Sequence, residues 1–351
     1  MQFGILFTSQ PNPDVEPYPH RDVHQRVTEQ IVAADRLGFD YAWIAEHHFS
    51  SGYGILPDPF VYLAYLADKT ERLRLGTAVM TLPLNDPLRV VENAAFIDIL
   101  TNGRFALGLG SGYRPYEFAG LGVDFERRRD IQEEALPLVL EMLRTHRVEH
   151  RGAHFSYEVT GEYEIFPHSV QQPHPPLYLA AGTERSIGVA AKLGLGLLMS
   201  SLAPVDVLAQ QTAVYRREAQ STTGPYSENP AFGTVDVARW VYVADTDEQA
   251  RAESEAGVRR HHQHFLGKQT FGHLGQVTNE SSVMLGDFDY ERLVDRVFLH
   301  GSVDTVARRI EELQAKTGCS ALTVHYPPYY GHEQTLKMLR LFAEQVIPRC
   351  R

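Results

Sequence analysis

Eight short apolar runs, separated by segments of helical period, predict an α/β protein for this chain of 351 residues, a (β/α)8 TIM barrel. The runs lack the polar–apolar alternation of a half-exposed strand, so both of their faces are covered, as in a parallel sheet under helices. A doubly wound sheet is the alternative fold, but it seldom continues through eight regular runs.

The first strand is Phe3–Thr8, and the segment after it places Val23, Val27, Ile31 and Ala34 on one helical face. Tyr41–Ala45, Leu73–Ala78 and Phe105–Gly110 are the next three strands. Ile131, Ala135, Leu138, Val139 and Met142 then form a second apolar stripe. Leu177–Ala181, Leu195–Ser200, Ala238–Ala244 and Ala321–His325 complete the set. Val306, Ile310 and Leu313 mark the helix before the last strand, and Leu336, Leu339, Phe342 and Val346 mark the one after it. A barrel of this kind needs ~250 residues, which leaves about a hundred for insertions. They fall after strands 4, 6 and 7, at Arg147–Pro176, Thr222–Gly233 and His264–Asp289. No linker divides the chain, so residues 1–351 are read as one domain.

Composition narrows the function. A net charge of -11 argues against nucleic acid and against an anionic membrane surface. Two distant cysteines, Cys319 and Cys350, make no disulfide framework and favour a reducing compartment. MQFGILFTSQ lacks the pattern of a signal peptide, and no run reaches the ~18 apolar residues that span a bilayer. The expected location is the cytoplasm.

The barrel fixes where chemistry belongs, at the C-terminal ends of the strands. Glu46, His47 and His48 follow strand two in AEHHFSS. Three consecutive residues cannot easily aim at one ion, and no HxH follows strand one, so no metal is expected. His261-His262-Gln263-His264 reads as a solvated helix end. Alternating glycines in Leu107–Gly112 allow backbone to approach a ligand, or serve tight barrel packing. Strand–Gly182–Thr183–helix offers free amides and a positive helix end to an anion, or a plain N-cap. Phe7, Tyr53, Tyr113, Tyr116, His325 and Tyr326 either wall an apolar substrate chamber or plug the barrel.

Two blocks carry a family resemblance. AADRLGFDYAWIAEHHFSSGYGILPDPF and ERLRLGTAVMTLPLNDPLRVVENAAFIDILTNGRFALGLGSGYRPYEFAGLG resemble the bacterial luciferase-like flavin-dependent monooxygenases. So does the end of the chain, GSVDTVARRIEELQAKTGCSALTVHYPP with TLKMLRLFAEQVIP. The resemblance spans nearly the whole chain except about His264–Asp289. It implies that reduced FMN, supplied by a transiently bound flavin reductase, reacts with oxygen. A flavin hydroperoxide then oxidises a small organic substrate, in a protein that is a homodimer. His47 matches the family's catalytic histidine, with Glu46 and His48 in supporting roles. Ala78-Val79 matches a cis peptide behind the flavin ring, and Gly110, Ser111 and Gly112 lie beside it. Thr183 and Ser186 match phosphate-contacting hydroxyls. Gly110 and Ser111 replace a reactive cysteine and a phosphate-binding arginine of the luciferase large subunit, and Gly182 replaces a glutamate. Phosphate binding then leans on hydroxyls and amides, with Arg185 or Arg114 as the candidate cation. A deazaflavin-dependent oxidoreductase and a non-catalytic flavin-binding protein are the alternatives.

Overall fold

The computed structural model describes residues 1–266 and 288–351. Its strands are β1 (Gln2–Phe7), β2 (Tyr41–Ile44), β3 (Arg74–Thr77), β4 (Met80–Thr81), β5 (Phe105–Gly110), β6 (Val148–Arg151), β7 (Ser156–Val159), β8 (Leu177–Ala180), β9 (Gly196–Met199), β10 (Val235–Ala244), β11 (Leu299–Ser302) and β12 (Ala321–His325). Its principal helices are α1 (Pro19–Leu37), α2 (Pro59–Ala67), α3 (Pro87–Leu100), α4 (Pro115–Leu121), α5 (Arg128–Thr145), α6 (Glu184–Lys192), α7 (Val205–Ala219), α8 (Asp247–Leu266), α9 (Tyr290–Arg296), α10 (Val303–Thr317) and α11 (His332–Leu341).

Parallel pairing runs β1–β2–β3–β5–β8–β9–β10–β12 and returns to β1. Closure shows in the register: Val235 pairs with Leu197 across β10–β9, and Ile5 with Val324 across β1–β12. These eight strands are the eight apolar runs, so the barrel is as expected. A closed ring leaves no unpaired edge. Helix starts are written locally. Asp58 and Asp86 each precede a proline, and their carboxylates accept from Phe60 and Arg89 amides at 2.9 and 3.0 Å.

The interior of the barrel is filled at one end. Tyr41 stacks on Trp43 at 5.0 Å, and Tyr178 meets Trp43 edge-on at 5.3 Å. Gly76 makes room, because a Cβ there would lie 2.4 Å from the Trp43 ring. The second core lies between strands and helices, where Ile31, Leu138, Val139, Ile310 and Leu339 are buried. The insertion after the fourth barrel strand contains the antiparallel hairpin β6–β7. The insertion after the sixth forms a short 3-10 turn at Gly224–Glu228. Most of the one after the seventh lies outside the described residues.

Two groups of side chains point differently from what the sequence predicts. Phe7 and Tyr326 do not face the strand-end cavity. On β1 the neighbours Leu6 and Thr8 face it, so the pleat turns Phe7 toward the helices. Phe7 packs edge-on with Tyr326, whose hydroxyl donates to Gln30 Oε1 of α1 at 3.3 Å. His261 and His262 are not solvated either. They are 3% and 2% exposed within α8, with His261 against Trp240 at 4.8 Å.

Candidate active site

A cavity of about 570 Å³ opens at the C-terminal ends of the strands, a size common for small-molecule sites. His47, Tyr53, Ala78, Val79, Gly110, Ser111, Gly112, Tyr113, Gly182, Thr183, Ser186 and His325 all line it. The candidate site residues therefore meet in one place, apart from Phe7 and Tyr326, with the neighbouring His48 turned away from the cavity.

His47 is 8% exposed, and its Nδ1 lies 3.1 Å from Glu117 Oε1. The same oxygen accepts from the His48 amide at 3.0 Å. A carboxylate only accepts, so Nδ1 carries the proton and the Nε2 lone pair is left available. Burial lowers the His47 pKa, the Glu117 bond raises it, and the Arg114 charge adds to the lowering. The imidazole is neutral at pH 7.

His48 turns the other way, as an extended segment requires. Its Nε2 sits 3.0 Å from Glu46 Oε1, and that bond raises its pKa. Glu46 Oε2 accepts from the Thr81 amide at 2.5 Å, and Oε1 from Asn85 Nδ2 at 3.2 Å. Glu46 thus ties the end of β2 to β4, which continues β3 beyond the Ala78–Val79 peptide. That peptide is cis. Among the described residues no cluster of His, Cys, Asp and Glu could hold a metal ion.

Val79 packs against Gly110 so closely that a Cβ there would lie 2.5 Å from Val79 Cγ2. The glycine is needed for that approach. Ala78, Val79, Leu6 and Leu198 give this stretch of cavity an apolar wall.

Thr183 caps α6 in a capping box: its Oγ1 accepts from the Ser186 amide at 3.3 Å, and Ser186 Oγ from the Thr183 amide at 3.1 Å. The expected cap is therefore present, and it sits on the cavity wall. Arg185 is engaged elsewhere, with Nε 2.7 Å from Glu133 Oε1 at 58% side-chain exposure. Arg129 lines the cavity and forms no ion pair among the described residues.

Two lining residues, Glu117 and Asp236, escaped the sequence reading. Glu117 sits on the helix after the glycine-rich strand end, two residues past a proline. Asp236 lies on β10 before the stretch read as a strand. It is 3% exposed and accepts from Trp43 Nε1 at 3.1 Å and Thr323 Oγ1 at 2.8 Å, both on Oδ2. Burial raises its pKa to about 6. His325 is held at about 4 by burial. Arg114 is 2% exposed. A charged residue inside an apolar strand was the available signal for Asp236.

The family model "Luciferase-like monooxygenase" matches residues 1–320. The chain is 35% and 32% identical to proteins y4vJ and y4wF of Sinorhizobium fredii, over 50% and 65% of its own length. Those matches span 48% and 64% of the two relatives, about half and just under two thirds of their lengths. It is 28% identical to 4-hydroxyprotoasukamycin monooxygenase of Streptomyces nodosus subsp. asukaensis, over 90% of this chain and 84% of that one. The fold is shared with the oxygenating constituent of 3,6-diketocamphane monooxygenase from Pseudomonas putida in complex with FMN. That likeness has a TM-score of 0.81 at 23% identity and covers 99% and 98% of the two chains. It is also shared with the coenzyme F420 dependent tetrahydromethanopterin reductase of Methanopyrus kandleri, at a TM-score of 0.67, 20% identity and coverage of 100% and 99%. With a barrel whose strand ends hold a dry histidine–glutamate pair and a capped helix N-terminus in one cavity, and a family model matched over residues 1–320, the chain belongs to the luciferase-like monooxygenase family of oxidoreductases.

Proposed function

We propose that the protein is an FMN-dependent monooxygenase that oxidises a small organic substrate with molecular oxygen. One observation carries the reading: a single cavity joins the α6 N-terminus to the His47–Glu117 pair across the apolar wall of Ala78 and Val79. The residues fit a flavin. The free amides and positive end of α6 suit a phosphate dianion, with Thr183, Ser186, Gly182 and Ser111 around it and Arg129 as the cation. The wall by Val79 and Gly110, with Gly112 beyond, suits a flat ring. Reduced FMN supplies the electrons that activate oxygen. His47, neutral and with Nε2 available, takes and returns a proton at the reacting end. The floor of buried Trp43 and Asp236, with half-buried Leu198, excludes water.

A separate flavin reductase supplies the reduced cofactor, and the chain acts in the cytoplasm as a homodimer. Adjacent helices α2 and α3 support the last point: Val61, Tyr65, Phe96, Ile99 and Leu100 are exposed at helical spacing, an apolar face suited to a second copy. No helix of the described residues is long and apolar enough to cross a membrane.

Equilibrium binding of reduced FMN and of a deazaflavin, followed by oxygen uptake with each, tests the reading. FMN should bind in the micromolar range and support oxygen consumption with candidate aldehydes and ketones. Preference for the deazaflavin with no oxygen consumed would replace this reading with hydride transfer. Tight FMN binding without turnover would make the protein a flavin carrier.

A further inference from the structure

Arg114 raises a question that the flavin does not answer. It lines the cavity at 2% exposure and makes no ion pair among the described residues. Its Nη1 and Nη2 reach the hydroxyls of Tyr116 and Tyr113, both at 3.3 Å, and Tyr53 also bonds to the guanidinium. Its Nε has no acceptor among the described residues. The guanidinium lies over the Tyr53 ring at 4.0 Å and near the Tyr113 ring at 4.9 Å.

We propose that Arg114 anchors a carboxylate of the organic substrate, so that the molecule oxidised here is an organic acid; this rests on the monooxygenase reading above. Burying a guanidinium without a counter-ion costs several kcal/mol, and tyrosine hydroxyls and ring faces return only part of that. An acceptor that arrives with the substrate supplies the rest. The open Nε and its neighbouring terminal nitrogen form the fork that a carboxylate takes with two parallel bonds. Neither nearby carboxylate fills that role: Glu117 is bound by His47 and the His48 amide, and Glu46 by His48, Asn85 and the Thr81 amide.

The position favours substrate over cofactor. Tyr53 follows β2, and Tyr113 and Tyr116 follow β5, so Arg114 is caged by the loops that also hold His47. The Tyr53 and Tyr113 rings meet His47 edge-on at 4.6 and 6.3 Å. Of the proposed phosphate contacts, Gly182, Thr183 and Ser186 belong to the separate segment after β8, and Ser111 alone shares the loop of Arg114. Aromatic walls around a single cation suit a carboxylate carried on an apolar or aromatic body.

The test is calorimetric titration of the apo protein and the FMN-loaded protein with benzoate and hexanoate, against benzamide and hexanamide. The carboxylates should bind at least about tenfold more tightly than their amides, a difference of about 1.4 kcal/mol. Arg114→Gln should abolish that preference while FMN affinity stays within about threefold. Arg114→Lys keeps the charge but loses the fork, and should weaken carboxylate binding about fivefold or more. It also covers the case in which Arg114→Gln fails to fold. Equal binding of acids and amides, an unchanged preference in either variant, or no carboxylate binding below about 10 mM would overturn the proposal. So would a collapse of FMN affinity in Arg114→Gln, which would give the cation to the cofactor. Carboxylate binding that depends on Arg114 in a protein that takes no FMN would sink the monooxygenase reading and leave the anion site standing.

Discussion

Arg114 and Arg185 both line the cavity, yet one is 2% exposed without an ion pair among the described residues, while the other is 58% exposed by side chain and held by Glu133. The two arginines mark two kinds of environment. Around His47 the polar groups are dry, and each bond is specific: Glu117 to His47, Glu46 to His48 and to the Thr81 amide. Around Thr183 the groups are half-buried, and the fixed feature is a helix end with its capping box. Charges interact strongly in the dry region and weakly in the wet one. Proton chemistry therefore belongs to the first, and cofactor retention, spread over amides and hydroxyls, to the second.

The sharpest way to break this contrast is His47→Ala. We expect turnover to fall roughly a hundredfold or more, with FMN affinity within about tenfold. Unchanged steady-state oxidation of the true substrate would remove His47 from the mechanism.

The dry region also predicts how stability follows pH. Burial lowers the His325 pKa from 6.5 to about 4. The folded state then disfavours the protonated form. The contribution of His325 is complete above pH 6.5 and is lost as pH falls from there to about 4. Its full size is roughly 3 kcal/mol. Asp236, raised to about 6, acts in the opposite sense: its stabilisation is present below the ordinary aspartate value and is lost as pH rises through about 6. Urea unfolding of His325→Leu at pH 7 and pH 4.5 should show a smaller acid-side loss than the parent. An equal loss would mean that His325 is solvated in the folded protein.

In the wet region effects are smaller. Thr183→Ala removes an N-cap and should cost about 1 kcal/mol in thermal or urea unfolding, with FMN affinity reduced about fivefold. A stability loss with unchanged FMN binding would make Thr183 a cap alone. Arg185→Ala should change FMN affinity less than about twofold, because the side chain is already paired in solvent. A large loss would move the phosphate onto Arg185 and erase the distinction drawn between the two arginines.

The barrel was legible in the sequence because its eight strands are buried on both faces, and such strands read as unbroken apolar runs. β4 is too short to register, and β6–β7 carries polar residues on a solvated hairpin. β10 was read from Ala238, and Asp236 was missed with its first turn of pleat, because a carboxylate interrupts the apolar run and its partners, Trp43 and Thr323, are distant in sequence. The side to which a residue points was harder to read than its strand. Phe7 and Tyr326 have the composition of a chamber wall, and only the pleat turns them toward α1. His261 and His262 look solvated after two arginines, yet α8 lays one turn of its length against Trp240. Glu117 was hidden for a different reason, since its partner is 70 positions away in sequence. Such pairings come from closure of the barrel and leave no local pattern.

The most direct measurement is anaerobic stopped-flow absorbance: protein loaded with reduced FMN, mixed with oxygenated buffer. An oxygen-dependent transient is expected, distinct in spectrum from reduced and oxidised FMN, that outlives any formed in free solution and decays faster in His47→Ala or in the presence of substrate. Reoxidation indistinguishable from that of free FMN would contradict that expectation.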